Sequence, residues 1–236
     1  MLFPIRDDNP TYGKPYVTVG LIILNALVFL YTRSLGARSF EIFLFHWGYT
    51  PDFIFGDLAS MAPASIYLTP LTSMFLHGGW LHLIGNMWFL WIFGNNVEDY
   101  FGPTKYLLFY LVSGIAAIAL YTLFNPGSQV PLVGASGAIA GVMGAYIVLH
   151  PRADITCLLF FFFITFITLP AKIVLGLWFF YQILMSLLGS TSGGGVAWLA
   201  HVGGFVFGWA LLKAVIRFRG GGTTPRGGQR IYKIQW

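Results

Sequence analysis

The chain has 236 residues, 57% hydrophobic and 18% aromatic, and only 9% are charged, against about 25% in a soluble domain. This composition excludes a soluble globular protein and leaves a polytopic membrane protein, with one compact bundle as the natural domain count. The net charge of +5 is spread over loops and a tail, so no nucleic-acid partner is expected, and a single cysteine, Cys157, excludes an intrachain disulfide and a cysteine-based metal site.

In chain order, residues 1–15 are polar, with Arg6, Asp7, Asp8, Lys14 and three prolines. Residues 16–31 are the first predicted span. The run is too long for a signal-peptide core and no small-residue cleavage pattern follows, which predicts a retained helix. Residues 32–75, with Trp47, Asp52 and Asp57, are too polar to span and too aromatic for a free loop, and are expected to be interfacial and partly helical. The second span, 76–93, carries His77, His82 and Asn86, and a polar turn over 95–103 follows it. The third span is 106–124, closed by an uncharged turn at 125–128. The fourth starts near Ser136 and ends by His150-Pro151-Arg152. Residues 155–169 are apolar and aromatic but are broken by Pro170 and Lys172, and are taken as a returning interfacial segment. The fifth span is 170–188, a flexible turn covers 189–195, and the sixth span is 196–216. The Gly-rich basic tail is expected to be disordered and able to touch anionic lipid. No solenoid-type repeat is present.

With both termini cytoplasmic, the inner side holds Arg6, Lys14, Lys105, Arg152, Lys172, Lys213, Arg217, Arg219, Arg226, Arg230 and Lys233, and the outer side only Arg33 and Arg38. That split satisfies the positive-inside rule for six helices, whereas a seventh span over 155–169 would place the basic tail outside. Depth follows from helical rise. Ser136 lies sixteen residues from Arg152, His201 sixteen from Arg217 and His82 sixteen from Glu98, about 24 Å in each case. Three polar side chains on three spans therefore share one plane below the outer surface. Asn86 is one turn deeper than His82 on the same face.

The fourth span is short. About fourteen residues give roughly 21 Å of helix, less than the ~30 Å hydrocarbon core. The backbone at 131–135 must then enter the membrane as irregular chain, tolerated only under protein or beside a water-filled cavity. Ser136 is placed at a helix N-terminus, where free N–H groups favour developing negative charge. Gly137, Gly141 and Ala145 recur every four residues on this span, and Ala200, Gly204 and Gly208 on the sixth, faces that let helix backbones approach closely.

Each of these residues has a bland reading. Ser136 is also an acceptable N-cap or packing residue, His201 a core histidine, and His82 and Asn86 interhelical polar glue. Their convergence at one depth favours a site, because ionisable groups inside the membrane are costly. His46 and His150 lie at interfaces and receive no role, and His77 at the mouth of the second span fits either reading. The chemistry this set permits is acyl transfer, with Ser136 as nucleophile and His201 as base. No acidic residue lies at the depth of His201, so the pair is a dyad. His82, Asn86 and the Ser136 backbone N–H are candidate oxyanion donors.

The stretch His77-Gly78-Gly79-Trp80-Leu81-His82-Leu83-Ile84-Gly85-Asn86, with Gly134-Ala135-Ser136-Gly137, Ala200-His201-Val202-Gly203-Gly204 and Gly208, and the turn with Glu98-Asp99 and Gly102, resembles the rhomboid family of intramembrane serine proteases. The resemblance covers essentially all of 15–217. It implies an all-α polytopic fold, a six-transmembrane-helix bundle whose short fourth helix starts inside the membrane. The division is a cytoplasmic segment 1–15, a protease domain 16–217 and a tail 218–236. It implies Ser136 and His201 as the catalytic dyad, and His82, Asn86 and Gly134 in the oxyanion and substrate-binding region. The implied substrates are single-span membrane proteins cut near small residues at their outer end, with the fifth span and the 189–195 turn as gate and cap. No cofactor and no metal are expected, and the partners are transmembrane substrates and the lipid bilayer, in the plasma (inner) membrane. The arginine-containing motif often present in the family's first outer loop is not evident around Trp47-Gly48. The alternative is a non-proteolytic relative that binds membrane proteins, which predicts loss of the serine or the histidine, and both are present. A transporter would show charged pathway residues or two broken helices, a metalloprotease HExxH, and an aspartyl protease carboxylates within its spans; none of these patterns occurs.

Overall fold

The computed structural model describes residues 2–160, 164–188 and 197–218. The order is β1 (Leu2–Asp7), α1 (Tyr16–Ser34), α2 (Ala37–Trp47), the single-turn helices α3 (Asp52–Phe55) and α4 (Thr69–Thr72), α5 (Trp80–Phe101), α6 (Pro103–Phe124), α7 (Ser136–Leu149), β2 (Asp154–Phe160), β3 (Ile164–Pro170), α8 (Ala171–Leu188) and α9 (Trp198–Phe218). The architecture is that of a polytopic helical membrane protein. Among the described residues four helices, α1, α6, α8 and α9, are long and apolar enough to cross a membrane, and α7 is a shorter apolar helix.

The centre is α7, buried without a break from Ala138 to Tyr146 and packed between α9, α6 and α5. Small residues allow this. A Cβ on Gly204 would collide with the Gly137 carbonyl, one on Gly208 with the Gly141 carbonyl, and one on Gly144 with the Phe205 carbonyl. The two helices thus meet backbone to backbone, as the small-residue spacing predicts, with Gly144 taking the part expected of Ala145. The outer helices turn apolar side chains outward, among them Leu27 and Leu30 of α1 and Leu177 and Phe180 of α8. That pattern suits lipid rather than water.

The bounds of the second span depart furthest from the sequence reading. It begins at Trp80, because Gly79 is extended, and continues to Phe101 through the stretch read as a polar turn. Its last turns stay helical because their polar groups are used. Glu98 accepts hydrogen bonds from the Val17 and Thr18 backbone N–H groups and the Thr18 hydroxyl, each at 2.8 Å. Asp99 accepts from the Gly13 N–H at 2.8 Å. Glu98 therefore caps the start of α1, and Asp99 holds the residues just before it. The helix stops at Gly102, whose φ of +75° suits glycine, and Pro103 opens α6.

The strands are a correction to the all-α expectation. Within 155–169, read as a returning interfacial segment, the described residues form the antiparallel pair β2 and β3, and β1 adds to it in an antiparallel sheet of order β1-β2-β3. The cause is period-two alternation of β-branched and aromatic residues. Ile155 and Cys157 are fully buried against the helices, with Ile167 and Leu169 packed beside them, while Phe160, Ile164 and Phe166 are exposed. At its C-terminal end β1 is fixed by Asp7, which accepts from the Tyr146 hydroxyl at 2.8 Å and from Asn96 Nδ2 at 2.7 Å. The expected turn at 189–195 and the tail 218–236 lie outside the described residues, apart from Phe218 at the end of α9.

Candidate active site

The chain enters α7 through an irregular segment that protein covers on both sides. Leu132 exchanges backbone hydrogen bonds with Tyr49, and the Gly134 N–H donates to the Ser73 carbonyl at 2.9 Å. Gly134 adopts φ +126°, and a Cβ there would meet His82 Nε2 at 2.7 Å and Asn86 Nδ2 at 3.6 Å. Only glycine lets this backbone lie against the His82 and Asn86 side chains. Two residues on, Ser136 is the first residue of α7, with no side chain capping the helix. The N–H groups of its first turn therefore have no intrahelical acceptor.

Ser136 Oγ lies 2.8 Å from His201 Nε2. The close α7–α9 contact makes this distance possible, since the two helices run in the same direction with Gly137 against Gly204 and Gly141 against Gly208. His201 is buried, between Trp178 at 5.9 Å and Trp198 at 6.2 Å between ring centroids. Its other nitrogen, Nδ1, lies 2.8 Å from Oε1 of Gln182 on α8.

Ser136 and His201 line a cavity of about 690 Å³ together with His82, Asn86 and Gly134. All five residues singled out from the sequence are thus at one cavity. Asn86 Nδ2 is buried and has no hydrogen-bond partner among the described residues, a cost that a ligand oxygen would relieve. His77 lies just before α5, fully buried, with its ring edge-on to His82 at 5.1 Å. It supports the site from behind and does not line the cavity. His46 is exposed on α2, where Nδ1 meets the Ile42 carbonyl, and His150 follows the far end of α7. Neither approaches the serine.

Gln182 was missed in the sequence. Its signal was available as a carboxamide inside the apolar run of the fifth span, where buried polar groups require a partner. Among the described residues no group of three or more histidine, cysteine, aspartate or glutamate side chains could hold a metal ion.

The arrangement puts a serine hydroxyl, an imidazole and an unpaired amide donor around one cavity. Comparison with known proteins gives a concordant result. Residues 66–218 match the Rhomboid domain. The chain is 33% identical over 142 residues to the rhomboid protease GluP of Bacillus subtilis, covering 59% of this chain and 26% of that protein. It is 33% identical over 161 residues to the mitochondrial rhomboid protein 1 of Saccharomyces cerevisiae, covering 62% and 42%. With the mitochondrial RHOMBOID-like protein 12 of Arabidopsis thaliana it shares 27% over 216 residues, covering 84% and 58%. The chain thus spans less than two-thirds of the length of each of these relatives.

Proposed function

This chain belongs to the rhomboid family, and on that premise we propose that it is an intramembrane serine endopeptidase using Ser136 and His201. The observation that carries the proposal is the 2.8 Å approach of Ser136 Oγ to His201 Nε2 beside a cavity of about 690 Å³. Ser136 donates its hydroxyl proton to Nε2 as Oγ attacks the scissile carbonyl. The tetrahedral oxyanion takes hydrogen bonds from Asn86 Nδ2, His82 and the first-turn backbone N–H of α7. One such donor is worth roughly 10²–10³ in rate. His201 then gives its proton to the leaving amine, and water hydrolyses the acyl-enzyme ester with the same base. The substrates are single-span membrane proteins cut in the outer part of their transmembrane segment, because the site sits at the outer end of α7. The spans are α1, α5, α6, α7 with its covered approach, α8 and α9, a six-helix bundle with both termini cytoplasmic, in the plasma (inner) membrane.

Reconstitution in liposomes with tagged single-span substrates tests this. Wild type should cleave and should be labelled by a fluorophosphonate, and Ser136→Ala should do neither while melting at the wild-type temperature. Undiminished turnover by Ser136→Ala would exclude the mechanism. A folded wild type that binds substrate yet never cleaves it would instead identify a non-proteolytic relative.

A further inference from the structure

A histidine base works only if its two ring nitrogens are assigned correctly, and here both are engaged. Nε2 faces Ser136 and Nδ1 faces Gln182, each at 2.8 Å. With Oε1 towards the ring, Gln182 can only accept, so Nδ1 carries the proton and Nε2 presents a lone pair to the serine hydroxyl. The opposite tautomer would place a proton on Nε2, and Ser136 would have no base.

We propose that Gln182 is the positioning residue that completes this site, holding His201 in the Nδ1–H tautomer with Nε2 aimed at Ser136. The role rests on the serine-protease reading above. Gln182 is only 3% exposed, and a buried carboxamide is stable in an apolar helix only when its polar atoms are paired. Trp178 lies one turn before it on α8, on the same helical face, and also contacts the His201 ring. A single face of α8 therefore sets both the plane and the tautomer of a base carried by α9. The serine comes from α7, so the reactive geometry requires three helices in register.

A carboxamide suits this place better than a carboxylate. An aspartate here would be an intramembrane charge in the resting enzyme, which is costly to bury. Glutamine orients the ring with a neutral dipole and leaves the imidazolium, when it forms, without a full counter-charge.

The test compares Gln182→Leu and Gln182→Met, which lack an acceptor, with Gln182→Glu, which keeps one. In liposomes with a single-span substrate, Leu and Met should lower kcat about 10- to 100-fold, the range of an acid–base contribution that is weakened but not removed. KM should stay within a few-fold, and fluorophosphonate labelling of Ser136 should slow in proportion. Gln182→Glu should recover most of the rate. On protein labelled with ¹⁵N-histidine, a downfield Nδ1–H resonance should be present in wild type and in Gln182→Glu and absent in Gln182→Leu. Thermal melts identify the folded variants, and having two acceptor-less variants guards against one misfolding. Wild-type kcat in a folded Leu or Met variant, or no recovery by Glu, overturns this role alone. A wild type that neither labels nor cleaves overturns the protease reading and this role with it.

Discussion

Asn86 separates catalysis from structure at the scale of a single side chain. Its Nδ2 is buried without a partner among the described residues, so replacing it by alanine removes an unsatisfied donor and no hydrogen bond of that atom to them. Asn86→Ala should therefore keep the wild-type melting temperature while kcat falls by about one to three orders of magnitude and KM stays within a few-fold. Measuring kcat, active-site titre and melting on one preparation decides the matter. Early melting with normal kcat in the folded fraction would make Asn86 interhelical glue. The residues of the site were legible because polar groups inside spans are rare and helical rise converts their numbering into depth. Ser136, His201 and His82 could be placed in one plane by counting alone, and Asn86 one turn below. Gln182 was not legible in the same way. The reading sought an acidic orienting group, and a neutral carboxamide carries no charge to attract notice, although it accepts the same hydrogen bond.

Between elements, backbone proximity is the controlling quantity. Gly208 lies against the Gly141 carbonyl, so a methyl group there must part α7 from α9. Gly208→Ala should cost about 1–3 kcal/mol, the range for overpacking, and should lose activity as well, since the same contact holds Ser136 to His201. Gly176 on α8 has nothing within 4 Å of a Cβ, and Gly176→Ala should stabilise by about 0.5–1 kcal/mol. Unfolding in mixed micelles reads both, and equal effects would show that the α7–α9 contact is not limiting. The tie between β1 and the helices has a pH signature. Burial holds the Asp7 carboxyl above its ordinary value of 3.8, with the Tyr146 hydrogen bond opposing it. The native state then binds more protons than the unfolded chain across this window. Stability from this group is full below 3.8 and is lost as pH rises through the folded value. Asp7→Asn keeps an acceptor and cannot ionise, so the difference in melting temperature between variant and wild type should grow from pH 3 towards pH 7. A constant difference would mean that desolvation is not the governing influence. The helices were legible from apolar runs and breakers, but the sheet was not. Residues 155–169 were weighed by hydrophobicity, and the alternation that buries Ile155 and Cys157 while exposing Phe160 on the partner face went unused. The strand that joins them, Leu2–Asp7, is remote in sequence and contains Pro4, which local propensity places outside strands.

For the whole molecule, the contacts place the N-terminal strand and the last turn of α9 at one end of the helix bundle, independently of any charge count. Asp7 is bound by Asn96 in the last turns of α5 and by Tyr146 in the last turn of α7, and Gly13 is bound by Asp99. The N-terminal segment is thus at the end of the bundle where α5 and α7 finish. The pairs Ser136 with His201 and Gly141 with Gly208 show that α9 runs in the same direction as α7, so α9 also finishes at that end. Under the proposed orientation the basic residues mark that end as the cytoplasmic one. Arg6, Lys14, Lys105, Arg152, Lys172, Lys213 and Arg217 belong to it, whereas Arg33 in the last turn of α1 and Arg38 at the start of α2 lie at the other end. Lysine and arginine near short membrane segments are retained in the cytoplasm. Reporter fusions at Trp236 should therefore be active only when the reporter works in the cytoplasm, and a cysteine introduced near the N-terminus should be shielded from membrane-impermeant thiol reagents in intact cells. Cys157 is fully buried, so it should not confuse the labelling. If the two ends reported opposite sides, the parallel course of α7 and α9 would have to be wrong, and with it the approach of His201 to Ser136. If both reported the outside, the helix arrangement would stand while the positive-inside assignment failed, and the site would open towards the cytoplasm.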